Sequence, residues 1–419
     1  MKTYAMMVLG CKVNDYEATF VREKLNRYYE EVDFKEKADI YVIFTCCVTN
    51  TAESKTRKFL HDARRNNPDA YIVAVGCMSQ IKGDSADFEE IDLIIGSDQK
   101  DRMIDMILNQ DKGSKVNDRI STDFEELFVE SYPKKSRAFL KIQDGCNQFC
   151  SYCIIPYARG RQRSANHEDI LKQAEILAKT NKEIVLTGIH TGRYDDGEYD
   201  LYHLLKELVK IEDLKTIRIS SIEMNEVTDE IIQLMKDNEK IAHHLHIPVQ
   251  ALHDDILRKM NRPYTLDEYI ERIGYIRKEI PDISIGTDLI VGFPYETDEI
   301  FKGYLDTLKQ IRFAFVHVFP YARKKGTVAD TFDHQLDNHT KKERVRRIID
   351  LQQELTMEHK RSYIGKTVKV LIERNDETSS YGYSREYIYT KLPGIYPIGE
   401  IMDVTIESVQ KEVIGHAAE

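Results

Sequence analysis

The chain carries the stretch Cys146-Asn147-Gln148-Phe149-Cys150-Ser151-Tyr152-Cys153, which spaces three thiols as C-x-x-x-C-x-x-C. Three cysteines in so short a run can ligate three irons of a cubane 4Fe-4S cluster and leave the fourth iron without a protein ligand. A zinc site would more usually pair C-x-x-C units with a further Cys or His, and no such pair accompanies this run. Cysteines buried singly in hydrophobic cores would be scattered along the chain. The spacing therefore favours an iron-sulfur cluster with one iron open to a cofactor or substrate.

Apolar runs on both sides of these cysteines alternate with amphipathic segments. Strands are predicted at residues 138–142, 184–189, 217–221, 244–249, 283–291 and 314–319, and helices at 167–179, 201–210, 229–236, 267–278 and 297–311. Six β/α units are too few to close an eight-stranded barrel. The pattern predicts a partial (β/α)6 barrel at residues 134–362, with the cysteine loop after its first strand.

Residues 1–112 show a second α/β rhythm. Strands are predicted at 6–9, 40–44, 71–75 and 93–95, and helices at 16–29, 52–66 and 98–108. This alternation is typical of an open α/β domain with a mainly parallel sheet. An acidic segment without apolar periodicity follows, closed by Pro133 and Lys134, and residues 113–133 are predicted to be a linker.

Three cysteines of this N-terminal domain each follow a predicted strand: Cys11, Cys46 and Cys77. Because the carboxyl ends of parallel strands face one edge of a sheet, the three thiols are expected to lie together. The alternative is coincidence, in which each cysteine is a small residue at a crowded strand end. Together they favour a second three-cysteine site.

The C-terminal residues 363–419 have a different pattern. Polar and apolar residues alternate at 367–373, 385–391 and 401–409. Alternation of this kind is typical of half-buried strands and predicts a small β-barrel. The chain is thus expected to combine an open α/β domain, a partial barrel and a small β domain.

Composition indicates a globular protein of several domains. Of 419 residues, 42% are hydrophobic and 31% charged, with only 10 Pro and 20 Gly. The apolar run at residues 5–9 is too short for a signal peptide, and no stretch is long enough to span a bilayer. A cytoplasmic location without membrane attachment is expected, where thiols stay reduced and can bind a cluster.

Charge is unevenly distributed along the chain. The net charge is −11, of which residues 84–130 contribute −9 through 14 acidic and 5 basic residues. Basic groups concentrate at Arg159, Arg161 and Arg163 and at residues 341–361. Basic stripes can bind phosphate backbones even in an acidic protein, so the three arginines are candidate RNA contacts. Residues 341–361 are either an RNA contact or a solvated helix face.

Motifs across nearly the whole chain resemble those of one enzyme family. They are Leu9-Gly10-Cys11-Lys12-Val13-Asn14, Thr45-Cys46-Cys47-Val48-Thr49-Asn50, Val75-Gly76-Cys77, Lys141-Ile142-Gln143-Asp144-Gly145-Cys146, His244-Leu245-His246-Ile247-Pro248-Val249-Gln250, Lys259-Met260-Asn261-Arg262, Asp288-Leu289-Ile290-Val291-Gly292-Phe293-Pro294 and His317-Val318-Phe319-Pro320-Tyr321. The chain resembles the radical S-adenosylmethionine (SAM) tRNA methylthiotransferases, especially the branch that acts on threonylcarbamoyladenosine. Sister branches carry Gly-Cys-Gln-Met at the first motif.

The resemblance implies two 4Fe-4S clusters and SAM as cofactors. The ligands would be Cys11, Cys46 and Cys77 for an auxiliary cluster that carries the sulfur, and Cys146, Cys150 and Cys153 for the cluster that binds SAM. Cys47 would be an extra thiol, because the family places its ligand at the third residue of Asn-Thr-Cys. The resemblance also implies a tRNA substrate, a reductant such as a flavodoxin or ferredoxin, a sulfur donor, and an RNA-binding C-terminal segment similar to a TRAM domain.

The implied reaction replaces the hydrogen at adenine C2 of a nucleotide next to the anticodon with a methylthio group. That hydrogen is not acidic enough for a side-chain base to remove usefully, so a cofactor must supply the chemistry. In the family, one SAM methylates the sulfur and a second SAM generates the radical that abstracts the hydrogen.

Candidate SAM contacts are placed by strand-end position and family similarity. They are Tyr152, Thr187, Gly188, Ser221, Glu223, Gln250, Ile290 and Gly292. Each has an alternative interpretation as barrel packing or helix capping. Together they are expected to line one mouth of the barrel.

Six residues depart from the family pattern and bear on the choice of substrate: Phe44, Ala251, Leu252, His253, Tyr295 and Ala322. They are expected to surround the substrate mouth and the auxiliary site. Two neighbouring substrates are isopentenyladenosine and an aspartate of a ribosomal protein. From a different class, the chain could be a non-catalytic iron-sulfur electron carrier or an RNA-binding protein.

Overall fold

The computed structural model describes residues 2–116, 120–132 and 135–418. The N-terminal part of the chain forms a six-stranded parallel sheet. Its strand order is β2-β1-β3-β4-β5-β6, with β1 Thr3–Val8, β2 Glu30–Glu31, β3 Ile40–Thr45, β4 Tyr71–Gly76, β5 Leu93–Ile95 and β6 Ser114–Val116. The helices are α1 Lys12–Leu25, α2 Asn50–Asn66, α3 Cys77–Lys82 and α4 Lys100–Asn109. β3 and β4 are buried along their whole length, as central strands covered on both faces are. The predicted open α/β fold is confirmed.

The end of this region differs from the predicted linker 113–133. β6 pairs with β5, so the sheet continues beyond residue 112. Leu127 and Val129 are buried, and Gln173 donates a hydrogen bond to the Val129 carbonyl at 3.1 Å. Residues 120–132 therefore pack against the protein instead of forming a free tether. Residues 117–119 and the predicted linker end at Pro133 and Lys134 lie outside the described residues.

Six parallel strands form the central partial barrel. They are β7 Arg137–Lys141, β10 Glu183–Thr187, β11 Thr216–Ile219, β12 His244–His246, β13 Ser284–Val291 and β14 Phe315–Pro320. Two three-stranded sheets, β7-β10-β11 and β12-β13-β14, are joined by parallel bridges from Ile217 to Ile241 and from Ser221 to His246. The barrel helices are α6 His167–Ala178, α7 Leu201–Leu208, α8 Asp229–Asp237, α9 Asp254–Lys259, α10 Leu266–Glu279 and α11 Asp298–Ile311. The predicted partial (β/α)6 barrel is confirmed.

A short insertion after β7 carries the cysteine loop. It contains β8 Gln143–Asp144, α5 Ile155–Arg159 and β9 Arg163–Ser164, and β8 pairs with β9 in an antiparallel ribbon. The loop thus leaves the barrel at the carboxyl end of its first strand, on the side that faces the N-terminal sheet.

Helix α12, Asn338–Arg361, leads from the partial barrel into a closed five-stranded barrel. The strands of this barrel are β15 Thr367–Asn375, β16 Ser379–Ser384, β17 Tyr389–Pro393, β18 Ile401–Val409 and β19 Val413–Ala417. The predicted strand at 385–391 is wrong in its first half, because β16 ends at Ser384 and the chain turns at Tyr387, whose φ is 65°. Polar and apolar residues alternate through this turn, so the sequence pattern did not reveal it.

The domain limits at residues 112 and 362 stay predictions. Among the described residues, no helix combines the length and the apolar character that crossing a membrane requires.

Candidate active site

Three cysteines of the N-terminal sheet lie at the carboxyl ends of neighbouring strands. Cys11 follows β1 and is the N-cap of α1, Cys46 follows β3, and Cys77 follows β4 and begins α3. Because β1, β3 and β4 are adjacent in a parallel sheet, these ends meet at one edge. All three cysteines line a cavity of about 580 Å³. The structure brings the predicted auxiliary ligands together.

Gly10 allows the backbone beside Cys11 to approach Cys46. Its φ is 104°, and a side chain there would place a Cβ 3.1 Å from the Cβ and 3.2 Å from the Sγ of Cys46. Cys47 instead belongs to an apolar cluster of the sheet that includes Ile43 and Met78. Among the described residues it is not part of the cavity lining. This arrangement favours Cys46 over its neighbour as a ligand.

The loop that carries the other three cysteines runs from β8 to α5. Gly145 at its start has a φ of 69°, and a Cβ there would overlap the carbonyl oxygen of Arg161. The Cys153 N–H donates to the Cys150 carbonyl at 2.9 Å. Burial and then the nearby Cys150 thiol raise the pKa of Cys153 to about 12. Cys153 lines the same cavity as the N-terminal cysteines, whereas Cys146 and Cys150 lie outside its lining.

Nitrogen donors lie against thiols of both sets. The distances are 3.3 Å from His190 Nδ1 to Cys146 Sγ, 3.6 Å from Arg262 Nη1 to Cys150 Sγ and 3.3 Å from Arg159 Nε to Cys77 Sγ. Although burial opposes its charge, hydrogen bonds to Cys146 and Glu226 raise the pKa of His190 to about 10. Cationic neighbours stabilise the thiolate, which is the form that binds metals. The donor set therefore fits two three-cysteine iron-sulfur clusters.

A buried ion-pair network joins α1 to the cysteine loop. The Arg159 guanidinium lies 2.6 Å from Glu17 and 3.2 Å from Asp144. The Lys141 ammonium lies 2.8 Å from Glu17 and 2.7 Å from Asp144. Burial opposes the charge of Glu17, but Arg159, Lys100 and Lys141 together hold the pKa of its carboxyl well below the usual range. Opposite charges thus hold the two cysteine regions against each other.

The predicted RNA contacts at the three arginines need correction. Arg159 is fully buried, and its guanidinium is engaged by the network. Arg163 is buried as well, and it donates to the carbonyl of Arg159 at 2.7 Å. Only Arg161 of the three is exposed, with its guanidinium 4.4 Å from the ring of Phe149. The prediction is wrong for Arg159 and Arg163, because both are buried. The sequence does not reveal this, since their partners Glu17 and Asp144 are remote or inconspicuous in it.

The structure places three of the predicted SAM contacts on the wall of the cavity. Tyr152, Gln250 and Ile290 line it together with Cys153. Tyr152 belongs to the cysteine loop and Ile290 belongs to β13. Gln250 belongs to a segment that is bridged to β13 at Leu289. These side chains stay candidate SAM contacts.

The other five candidates lie outside the described cavity lining: Thr187, Gly188, Ser221, Glu223 and Gly292. The Thr187 carbonyl accepts from Ile142, Gly188 packs on Gln143, and the Gly292 N–H donates to Glu296 at 2.9 Å. These three have structural roles in the barrel.

Glu223 is in indirect contact with the cysteine loop. It forms an ion pair with Arg262, whose guanidinium also contacts Cys150. Ser221 bridges to His246 between the two sheets of the barrel. Glu223 is therefore connected to the second cysteine set through one arginine.

Two family models match the chain: the Radical SAM superfamily over residues 140–308 and the Uncharacterized protein family UPF0004 over residues 3–96. A protein of Bacillus subtilis named threonylcarbamoyladenosine tRNA methylthiotransferase MtaB is 38% identical, over 97% of this chain and 94% of its own. The MtaB protein of Aquifex aeolicus is 36% identical over 96% of this chain and 99% of its own. The chain belongs to the radical SAM tRNA methylthiotransferases. The recognised family, the enzyme class of transferase and the cofactors 4Fe-4S and SAM are thereby confirmed.

Other similarities fit the same family and fold. A tRNA-2-methylthio-N(6)-dimethylallyladenosine synthase of Thermodesulfovibrio yellowstonii is 34% identical over 96% of this methylthiotransferase and 95% of its own chain. The solved structure of the radical SAM methyltransferase TsrM from Kitasatospora setae has a TM-score of 0.56 at 14% identity, covering 78% of this chain and 77% of that one. The second similarity concerns the fold alone.

Of the six departures from the methylthiotransferase pattern, Ala322 lines the cavity and three lie in hydrophobic cores. Phe44, Ala251 and Leu252 are buried, and the expectation that they surround the substrate mouth is wrong for them. Tyr295 has a φ of 70°, in the region that favours glycine, and the Lys259 ammonium lies 3.8 Å from its ring. Family members usually have Gly at that position, because glycine adopts a positive φ at little cost.

One wall of the cavity was not anticipated, except for Ala322. It consists of residues at the end of β14 and directly after it, and of residues just before α2 and in its first turns: Phe319, Pro320, Tyr321, Ala322, Lys324, Val48, Thr49, Thr51, Ala52 and Lys55. The Lys324 ammonium lies 2.7 Å from Glu53 of α2 and connects the two parts. The strand-end rule used for the first five barrel strands would have found the first part if it had been applied to the sixth.

Proposed function

We propose that this methylthiotransferase inserts a methylthio group at adenine C2 of threonylcarbamoyladenosine next to the anticodon of tRNA. The observation that carries the proposal is the shared cavity, because Cys11, Cys46 and Cys77 line it opposite Cys153. Sulfur insertion needs the sulfur and the radical to reach one carbon atom, and a common cavity meets that need. The names of the MtaB relatives, which match nearly the whole chain, support the nucleoside.

The six cysteines would hold two 4Fe-4S clusters, Cys11, Cys46 and Cys77 one, and Cys146, Cys150 and Cys153 the other. When bound, these clusters supply the transferred sulfur and the electron for SAM cleavage. Tyr152, Gln250 and Ile290 would hold SAM against the cavity, and Glu223 would orient Arg262 beside Cys150. A reductant such as a flavodoxin or ferredoxin and a separate sulfur donor are part of the proposal.

The protein part of the mechanism is to orient the substrate and exclude water. The cavity wall is mainly apolar, with Ile154, Ile155 and Ile189 on the barrel side. An apolar wall leaves few waters in contact with the reacting groups, which limits side reactions.

A second candidate substrate is dimethylallyladenosine, which a relative of 34% identity names. The experiment presents anaerobically reconstituted enzyme with two anticodon-loop RNAs that differ only in threonylcarbamoyl or dimethylallyl at the same adenine. Nucleoside mass spectrometry should detect methylthiolation of the first RNA. Product from the dimethylallyl RNA alone would contradict the proposal, and SAM cleavage without product from either would point to another substrate.

A further inference from the structure

The ammonium of Lys12 is an unpaired cation next to the cavity. Lys12 is the first residue of α1 and directly follows Cys11, which lines the cavity. Its side chain is exposed, and it makes no hydrogen bond or ion pair with another described residue. The positive end of the α1 dipole adds to its charge. This corner therefore presents a positive charge that forms no ion pair with another described residue.

The groups around Lys12 are already paired with one another. Its electrostatic neighbours include Asp288, which lines the cavity, and Arg137 and Arg218. The Arg137 guanidinium lies 2.8 Å from Glu373, and that of Arg218 lies 2.8 Å from Glu183. Both arginines are thus paired with carboxylates, whereas Lys12 forms no ion pair with another described residue.

Asp288 is likewise occupied. Its Oδ1 lies 3.1 Å from His246 Nε2 and 3.3 Å from His317 Nδ1, and these contacts hold the carboxylate on the barrel side. On the opposite wall the Lys324 ammonium is bound by Glu53 at 2.7 Å and Asn50 at 3.1 Å. Lys12 thus differs from Lys324 in being free to bind a group that enters the cavity.

An unpaired ammonium beside a cavity favours an anionic ligand, because a hydrogen bond between two charged groups is stronger than one between neutral groups. Threonylcarbamoyladenosine carries such an anion, since the threonyl group is attached through its nitrogen and keeps a free carboxylate. A dimethylallyl group at the same position is a hydrocarbon.

We propose that Lys12 binds the carboxylate of the threonyl group and thereby selects the substrate. The inference rests on the proposed function and names the residue that reads the substituent. Lys12 is a specificity residue, since its ammonium would contact a part of the substrate remote from the reacting carbon.

The experiment compares two anticodon-loop RNAs that differ only in the threonyl carboxylate, which is free in one and a primary amide in the other. Equilibrium binding to the reconstituted enzyme and the KM for methylthiolation are measured for wild type, K12M and K12R. Wild type should prefer the carboxylate RNA on the order of 10-fold to 100-fold, the value of a charged hydrogen bond. K12M should lose this preference, and K12R should keep most of it.

The control variant is K55M, which removes a cavity-lining lysine that makes no hydrogen bond or ion pair with another described residue. It should leave the preference between the two RNAs unchanged, even if both bind more weakly. Iron content and SAM cleavage without RNA should be equal in wild type and K12M, which separates substrate binding from damage at Cys11.

Two results would overturn the inference. One is a wild type that binds the carboxylate and amide RNAs equally, a result that needs no variant to fold. The other is a K12M enzyme that retains the full preference. Failure of the proposed function is distinct, since wild type would then methylthiolate neither threonylcarbamoyl RNA nor its amide, and the assignment of Lys12 would fall with it.

Discussion

At the residue scale, the adjacent cysteines Cys46 and Cys47 have opposite environments. Cys46 lines the cavity, whereas Cys47 lies in the apolar cluster of the sheet. Successive residues that leave a strand point to different sides, so neighbours in the chain need not be neighbours in space. The family motif and the geometry lead to the same choice of ligand.

Replacing Cys46 by Ala should remove the auxiliary cluster and retain SAM cleavage. Iron content should fall from about eight to about four per chain, because one cubane is lost. C47A is the matched control and should keep both iron and methylthiolation. Chemical iron analysis with 5′-deoxyadenosine chromatography measures both, and half the iron in C47A would reverse the assignment.

Replacing Cys150 by Ala should have the converse effect. The Cys150 thiol lies 3.6 Å from Arg262, and Cys150 is not part of the described cavity lining that the N-terminal cysteines share. SAM cleavage should be abolished while about four irons remain on the N-terminal cysteines. Chromatography of reduced, reconstituted C150A provides the measurement, and cleavage at the wild-type rate would exclude this loop as the radical site.

At the element scale, α1 and α5 are held together by Glu17 and Arg159. Removing one partner of a buried ion pair leaves an uncompensated charge, and R159M should therefore lower the free energy of unfolding by about 3–5 kcal/mol. Arg161, two residues away and exposed, is the control, and R161M should cost less than about 1 kcal/mol. Urea unfolding of both variants tests this, and equal stabilities would show that the network contributes little.

Helix α12 is attached to β13 by a histidine. His359 Nε2 lies 2.8 Å from Ser284 Oγ, and burial lowers the pKa of His359 to about 4. Because the unfolded chain protonates near its ordinary pKa of about 6.5, the stability that neutral His359 contributes is complete above that pH and is lost as pH falls towards 4.

Lowering the pH from about 7 to about 5 should thus cost about 2 kcal/mol through this residue. H359Q should show a weaker pH dependence, whereas replacement of the exposed His61 by Gln should behave as wild type. Urea unfolding of the cluster-free protein at both pH values gives the comparison. An unchanged pH dependence in H359Q would exclude His359 as its source.

At the scale of the whole molecule, the architecture could be predicted because its signals are local. The strands of the partial barrel lie in mainly apolar stretches, and the strand ends of the N-terminal sheet place Cys11, Cys46 and Cys77 at one edge. The role of Arg159 could not be predicted, since its partner Glu17 is 142 residues distant and a local basic run is the same in a surface stripe and in a buried network.

The free charge of Lys12 was hidden for a related reason. The sequence contains many lysines, and only the contacts of the folded chain separate Lys324, which is bound by Glu53, from Lys12, which has no described partner. Pairing across the fold, and not residue type, decides which charge is available to a substrate.

Glu17 and Arg159 belong to different halves of the molecule, so each half carries the charge that the other requires. Residues 17 and 159 are therefore expected to change together in evolution. An N-terminal half taken from a relative can dock on this barrel only if it carries an acid at position 17. The distance between the sulfur site and the radical site is accordingly set by the interface that Glu17 and Arg159 form, before any iron or RNA is bound. A weaker interface between the two halves would therefore uncouple SAM cleavage from sulfur insertion, even if each site kept its own structure.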